Sequence, residues 1–218
     1  MERAPVTEAA ASTPLPVIAQ VSRVVTAVVD RLTGDRVDFP LLVAWATVEG
    51  LKRHGIESRV MYGPAAWVEV LEDQSVVWAG CWDGNVHFWT ATHLGEVVDL
   101  NTSVAYKKRP PLGAPSSRAM HSPPMLWSAE VPAFYRYQAD GVAELELTDE
   151  KDRKRLDLVL AEVREKCDPA KLQGDDEQFP NEPILCPGRK LLDDSKGTFK
   201  HFDRAVGVRG IPKAPKLS

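Results

Sequence analysis

The apolar residues Val17, Ile18, Val21, Val24, Val25, Val28, Val29 and Leu32 recur at intervals of three and four. That spacing predicts an amphipathic helix, even though β-branched residues favour strands, and Thr33-Gly34 supplies its stop. A second helix is predicted from Pro40, with Leu41, Leu42, Ala44, Trp45, Val48 and Leu51 apolar nearly all round, as a buried helix requires. Asp38 or Phe39 would sit at the cap, Asp38 being the better capping residue. Pro40 suits the first turn, where a missing N–H costs nothing, and Lys52-Arg53-His54-Gly55 reads as the exit. His54 then reads as a surface residue at the favourable end of the helix dipole.

The period then shortens to two. Residues 56–62, 66–71, 75–79, 85–92 and 96–100 are rich in Val, Tyr and Trp and are separated by turn residues. They predict five short strands in an antiparallel meander behind the buried helix, an α+β layout. The basic Lys107-Lys108-Arg109 and the proline-rich residues 110–124 read as a solvated loop. Residues 134–137 and 142–147 predict a hairpin around Ala139-Asp140-Gly141. Asp149 caps a third helix reaching Cys167, with Leu156, Val159, Leu160 and Val163 on its inner face. The expected organisation is a loose arm over 1–13, one α+β domain over 14–168 and an irregular tail over 169–218. Ile184, Leu191, Leu192, Phe199 and Phe202 are the tail residues able to dock on the body.

Composition narrows the class of function. Of 218 residues, 44% are hydrophobic and 27% charged, the balance of a soluble globular domain, and the net charge of −4 gives no reason to expect nucleic acid. Cysteines at 81, 167 and 186 match neither a disulfide framework nor a zinc pattern, so a reducing, cytoplasmic setting is expected. No apolar run reaches the length of a membrane span. Acidic Glu2 and Glu8 with nearby prolines do not form a signal peptide. No membrane partner and no cofactor are therefore expected.

Candidate chemistry concentrates around residues 84–99. His87 and Asp99 sit at the ends of neighbouring predicted strands, where a carboxylate can orient an imidazole for acid–base work. Trp82 and Trp89, with Trp67 and Trp78, fall in the same sheet region and are suited either to walling a ligand cleft beside His87 or to a plain core. Asn101 follows Asp99 closely enough to join a site or to close a turn with it. His93 is the only other histidine close by in the chain. Its spacing from His87 and Asp99 matches no metal-ligand pattern, so no metal is expected.

The buried helix ending in Leu51-Lys52-Arg53-His54-Gly55-Ile56, the strands that follow, His87-x-Trp89, and Gly95 with Asp99 on the next strand resemble the transglutaminase-like core. That core belongs to the papain-like cysteine proteinase superfamily, is shared with arylamine N-acetyltransferases, and includes uncharacterised bacterial members of about this size. The resemblance covers roughly residues 38–103. It implies a cysteine-proteinase-like α+β fold with buried N-terminal helices on an antiparallel sheet. It also implies a nucleophile at the N-terminus of the buried helix, His87 as base and Asp99 as the orienting acid. The nucleophile position falls at or beside Pro40, in a stretch from Val37 to Val43 that has no cysteine, serine or threonine. Two expectations follow. One is a cytosolic transglutaminase-like protein with a degenerate Cys-His-Asp site that binds a peptide or a small acyl or amide ligand. The other is an active hydrolase or acyl-/amidotransferase using Cys81, in the predicted loop from Ala79 to Gly84, with His87 and Asp99. Only the second requires Cys81 Sγ within hydrogen-bond reach of His87.

Overall fold

The structure, a computed structural model, describes residues 12–108, 118–145, 148–172, 179–187 and 198–217, without the side chains of Thr198 and Phe199. Helices α1 (Leu15–Thr33) and α2 (Pro40–Arg53) form where the apolar spacing places them. Gly34, at φ +86°, ends α1 and donates its N–H to the Asp30 carbonyl. Of the two candidate caps of α2, Phe39 takes the position, without a side-chain hydrogen bond. Asp38 is drawn into a one-turn 3-10 segment, Arg36–Asp38, which Asp35 caps by accepting from the Val37 N–H. His54 is half-buried, not on the surface, with Nε2 2.9 Å from Gln20 Oε1. Burial, reinforced by Arg53, lowers its pKa.

Among the described residues, ten strands form two sheets. The first contains β1 (Ser58–Gly63), β4 (His87–Thr92), β5 (Val97–Asp99), β7 (Met125–Ser128), β9 (Gly141–Val142) and β10 (Ile184–Leu185), in the order β10-β7-β5-β4-β1-β9. The second orders β3 (Val76–Cys81), β2 (Ala65–Leu71) and β6 (Ala119–His121), with β8 (Tyr135–Tyr137) also paired to β2. The α+β class therefore holds, but the single meander does not. Only Pro64 separates β1 from β2, and the two strands join different sheets. Period-two patterning identifies a strand but not its partner. Gly63 at φ +152°, followed by a proline, lets the chain step from one layer to the other.

The hairpin around Asp140-Gly141 is corrected for the same reason. β8 pairs with β2 while β9 pairs with β1, so the turn bridges the two sheets; residues 146 and 147 lie outside the described residues. The span expected as loop contains β6, its first part lying outside the described residues.

The first sheet is the middle layer. Val98, Leu100, Met125 and Trp127 face α1, α2 and α3 (Glu150–Lys166), packing with Val21, Val25, Leu51, Leu156 and Val163. Asp149 caps α3, as expected, accepting from the Lys151 and Asp152 N–H groups. On the other face Val97, Leu126 and Leu185 meet Ala65, Trp67, Ala79 and Tyr135 of the second sheet. The expected irregular tail supplies two ordered elements. β10 runs parallel to β7, and α4 (Thr198–Arg209) places Phe202 and Ala205 on Val68 and Val70, covering the outer face of the second sheet. Leu191 and Leu192 lie outside the described residues. The arm is anchored at Thr13, which is buried and donates from N and Oγ1 to Glu96 at 2.9 and 2.6 Å.

One glycine constrains the region around Cys81. Gly80 has φ +140°, and a Cβ there would lie 2.2 Å from the Ala65 carbonyl oxygen. Gly80→Ala must displace β3 from β2. A destabilisation of about 2–4 kcal/mol is expected from strain and overpacking, read as a lower urea midpoint.

Candidate active site

Strand alternation assigns each side chain of β4 to a layer. Phe88 packs with Leu41, Trp45 and Val48, and Thr90 Oγ1 donates to the Ala44 carbonyl at 3.0 Å, so both face α2. His87 and Trp89 face the second sheet. The same alternation on β5 puts Val98 in the helical core and Asp99, with Val97, between the sheets. Cys81 is the last residue of β3, opposite Ala65, and so is held in a ladder and not in the expected loop. The chain crosses back to the first sheet through Trp82–Val86, with Asp83 at φ +55° and Gly84 at φ +85°, and this brings Cys81 and His87 together.

His87 and Asp99 are 3% and 2% exposed. Nε2 of His87 lies 2.7 Å from Asp99 Oδ2. The same carboxylate oxygen accepts from Tyr137 Oη at 2.9 Å, and Oδ1 accepts from the Asn101 N–H at 2.9 Å. The end of β3 brings Cys81 beside the His87 ring, close enough for each group to shift the pKa of the other. With Nε2 engaged by Asp99, Nδ1 is the ring nitrogen left for sulfur.

The charges follow from this geometry. Burial alone would push the His87 pKa down, but the charge and hydrogen bond of Asp99, with Cys81 adding, hold it up at about 9. Burial alone would raise the half-buried Cys81 thiol; the His87 hydrogen bond and charge, helped by Lys108 and opposed by Asp99, lower its pKa instead. Both shifts favour a thiolate–imidazolium pair. Cys167, by contrast, is pushed up to about 12 by burial.

The remaining predicted residues separate. Asn101 serves Asp99 through its backbone, and its side-chain amide donates to the Val37 carbonyl at 3.3 Å. Trp89 is buried against Tyr137 with ring centroids 5.1 Å apart, a packing role. Trp82 is partly exposed in the crossover, its carbonyl accepting from the Asn85 N–H. His93 is exposed beyond the far end of β4, with Nδ1 3.1 Å from the Glu57 carbonyl, and does not converge with His87. No group of three or more metal-ligating side chains occurs among the described residues. Pro40 lines a groove with Phe88 and Trp45, across the first sheet from His87.

Two contributors were not singled out from the sequence. Tyr137, whose pKa burial and Asp99 raise well above the ordinary value, remains a hydroxyl donor to Asp99. Glu69 is buried and accepts from Trp67 Nε1 at 3.0 Å, and the Trp67 ring lies 5.2 Å from that of His87. A carboxylate alternating with Ala65 and Trp67 on the inner face of a strand was a usable signal. Glu69→Gln keeps the acceptor and is expected to leave Cys81 reactivity unchanged. Glu69→Leu strands a buried N–H, at a cost of about 1–3 kcal/mol, and is expected to slow Cys81 alkylation severalfold at fixed pH.

No family model matches the chain, and no curated protein matches it. A crystal structure named only as a genomics target is similar at 13% identity over 78% of this chain and 84% of that one, with a TM-score of 0.44. A likeness of that size carries no argument about what the chain does.

Proposed function

We propose that the protein is a thiol-dependent hydrolase or acyl-/amidotransferase in which Cys81 is the nucleophile, His87 the acid–base and Asp99 the residue that orients the imidazole. The observation that carries this reading is the placement of Cys81, at the end of β3, beside a buried His87 whose ring is already fixed by Asp99. In this scheme the Cys81 thiolate attacks an acyl carbonyl carbon, forming a C–S bond and a tetrahedral oxyanion. The His87 imidazolium gives its proton to the departing amine or alkoxide as that bond breaks, leaving a thioester. Water or an acceptor amine then attacks, His87 takes its proton, and the thiolate leaves to restore the ion pair. Asp99 stays a carboxylate throughout and holds the tautomer.

The transglutaminase-like resemblance supplies the same roles for His87 and Asp99. In this reading the nucleophile comes from the end of β3, not from the helix. A site that only binds a peptide or a small acyl or amide ligand would need a cleft but no thiol–imidazole contact, which is why the catalytic reading is preferred.

The test is alkylation by limiting iodoacetamide across pH, with the modified cysteine read by mass spectrometry. Cys81 is expected to react rapidly below neutral pH, ahead of the buried Cys167 and Cys186. Ordinary thiol pH dependence at all three cysteines would overturn the proposal. Any turnover found should be bell-shaped in pH, its alkaline limb near 9, where His87 loses the proton it donates.

A further inference from the structure

Far from Cys81, α4 turns His201, Arg204, Ala205, Val208 and Arg209 toward Gln74 in the β2–β3 turn, around a cavity of about 280 Å³ that is open to solvent. The His201 ring stacks on that of His121 in β6, with centroids 5.4 Å apart and planes within 10°. His121 Nδ1 is buried without a partner among the described residues. Neither Arg204 nor Arg209 has a carboxylate within ion-pair distance among the described residues, whereas Arg31, Arg155 and Arg164 each have one and Arg36 has two. The acid acting on Arg209 is Asp73, and its carboxylate is already held by the N–H and hydroxyl of Ser75 at 2.9 and 2.6 Å. The neighbouring charges are Lys200 and Asp203 on α4, Arg118 beside β6, and Glu72 and Asp73 on the turn. In a chain of net charge −4, the cavity lining itself carries two arginines and no carboxylate.

We propose that this cavity binds the phosphoryl group of a small molecule. Two guanidinium groups, an imidazole and a side-chain amide offer donors to several oxygens of one dianion, and arginine suits that geometry better than lysine. Ala205 and Val208 leave an apolar wall for a short organic substituent. The volume lies just below the roughly 300 Å³ at which ligand pockets begin, which suits a small ester or free phosphate. The bound anion also supplies the counter-charge that two stacked imidazoles lack when both are protonated.

Inorganic phosphate and phenyl phosphate are the probes, each titrated into the full chain while the imidazole C2–H resonances of His121 and His201 are followed by NMR. Sodium chloride at matched ionic strength is the control. Saturable shifts of both histidine resonances are expected. Arg204→Gln/Arg209→Gln should weaken binding at least tenfold. These side chains are exposed, and Phe202 and Ala205 still dock the helix, so the variant should keep its fold. Arg204→Lys/Arg209→Lys, retaining charge but losing the fork, should fall between. Tighter binding of phenyl phosphate identifies an ester as the occupant, and equal binding identifies free phosphate. Shifts that sodium chloride reproduces, or affinity unchanged in the double glutamine variant, overturn the site.

Discussion

His87→Ala is expected to slow alkylation of Cys81 at pH 6 by about 10- to 100-fold. An unassisted thiol of pKa about 8.5 is only roughly 0.3% ionised at that pH. Beside His87 the pKa of Cys81 is lowered, for the causes set out above, so more of it is thiolate at that pH. The full gain in thiolate fraction is not realised as rate, because intrinsic nucleophilicity falls with pKa, with a Brønsted coefficient of about 0.4–0.5. The comparison is made with the pH profile of each protein. The variant's profile should move toward that of a free thiol, whereas a merely destabilised protein would expose Cys167 and Cys186 as well, and mass spectrometry separates the two. Unchanged Cys81 reactivity in a folded His87→Ala protein would show that the imidazole does not activate the thiol. Asp99→Asn should give an intermediate effect, since the ring loses its charged partner but keeps a hydrogen-bonding one. The linkage has a definite sign. The His87 pKa is raised, so its contribution to stability is complete below about pH 6.5, the unfolded value, and is lost as the pH rises through about 9.

The second large effect is expected at Arg36, whose side chain is fully buried. Its Nε donates to the Leu100 carbonyl at 3.0 Å and Nη2 to Ser103 Oγ at 3.0 Å; the guanidinium is ion-paired with Asp30 at 2.5 Å and with Glu182. One side chain thus ties α1, the segment after β5 and the residues leading into β10. Removing it leaves the two carboxylates without their cation, and loss of one partner from a buried pair costs about 3–5 kcal/mol. Asp30 and Glu182 are 37% and 33% exposed and regain some hydration, so Arg36→Met should fall at the lower end of that range. Urea unfolding measures it directly. The triple variant Arg36→Met/Asp30→Asn/Glu182→Gln should recover part of the loss, because it removes the stranded charges; no recovery would place the cost in packing alone.

The helices were legible because their signals are local. The stripe from Val17 to Leu32, Gly34, Pro40 and the Asp149 cap each act within a turn or two, and all three helices form at those positions. α4 escaped notice because its inner face is built from few apolar residues in a charged stretch, and its helix depends on burying Phe202 against Val68 and Val70. His87, Asp99 and Cys81 were legible as residue types suited to chemistry. Tyr137 was not, since nothing in the sequence says that it returns to Asp99 from 38 residues away.

Sequence alone determined the strands β1 to β5, the three main helices and the list of reactive side chains, because periodicity, caps and side-chain chemistry are written in neighbouring residues. Tertiary structure decided which strand pairs with which, and therefore which face of each strand looks inward. The step at Gly63-Pro64 separates two layers, and the return through Trp82–Val86 sets the end of β3 against the start of β4. Pro40 is thereby left on the helical side of the first sheet, while Cys81 meets His87 between the sheets. Long-range pairing made that choice, since strand alternation admits either face until a partner sheet buries one of them.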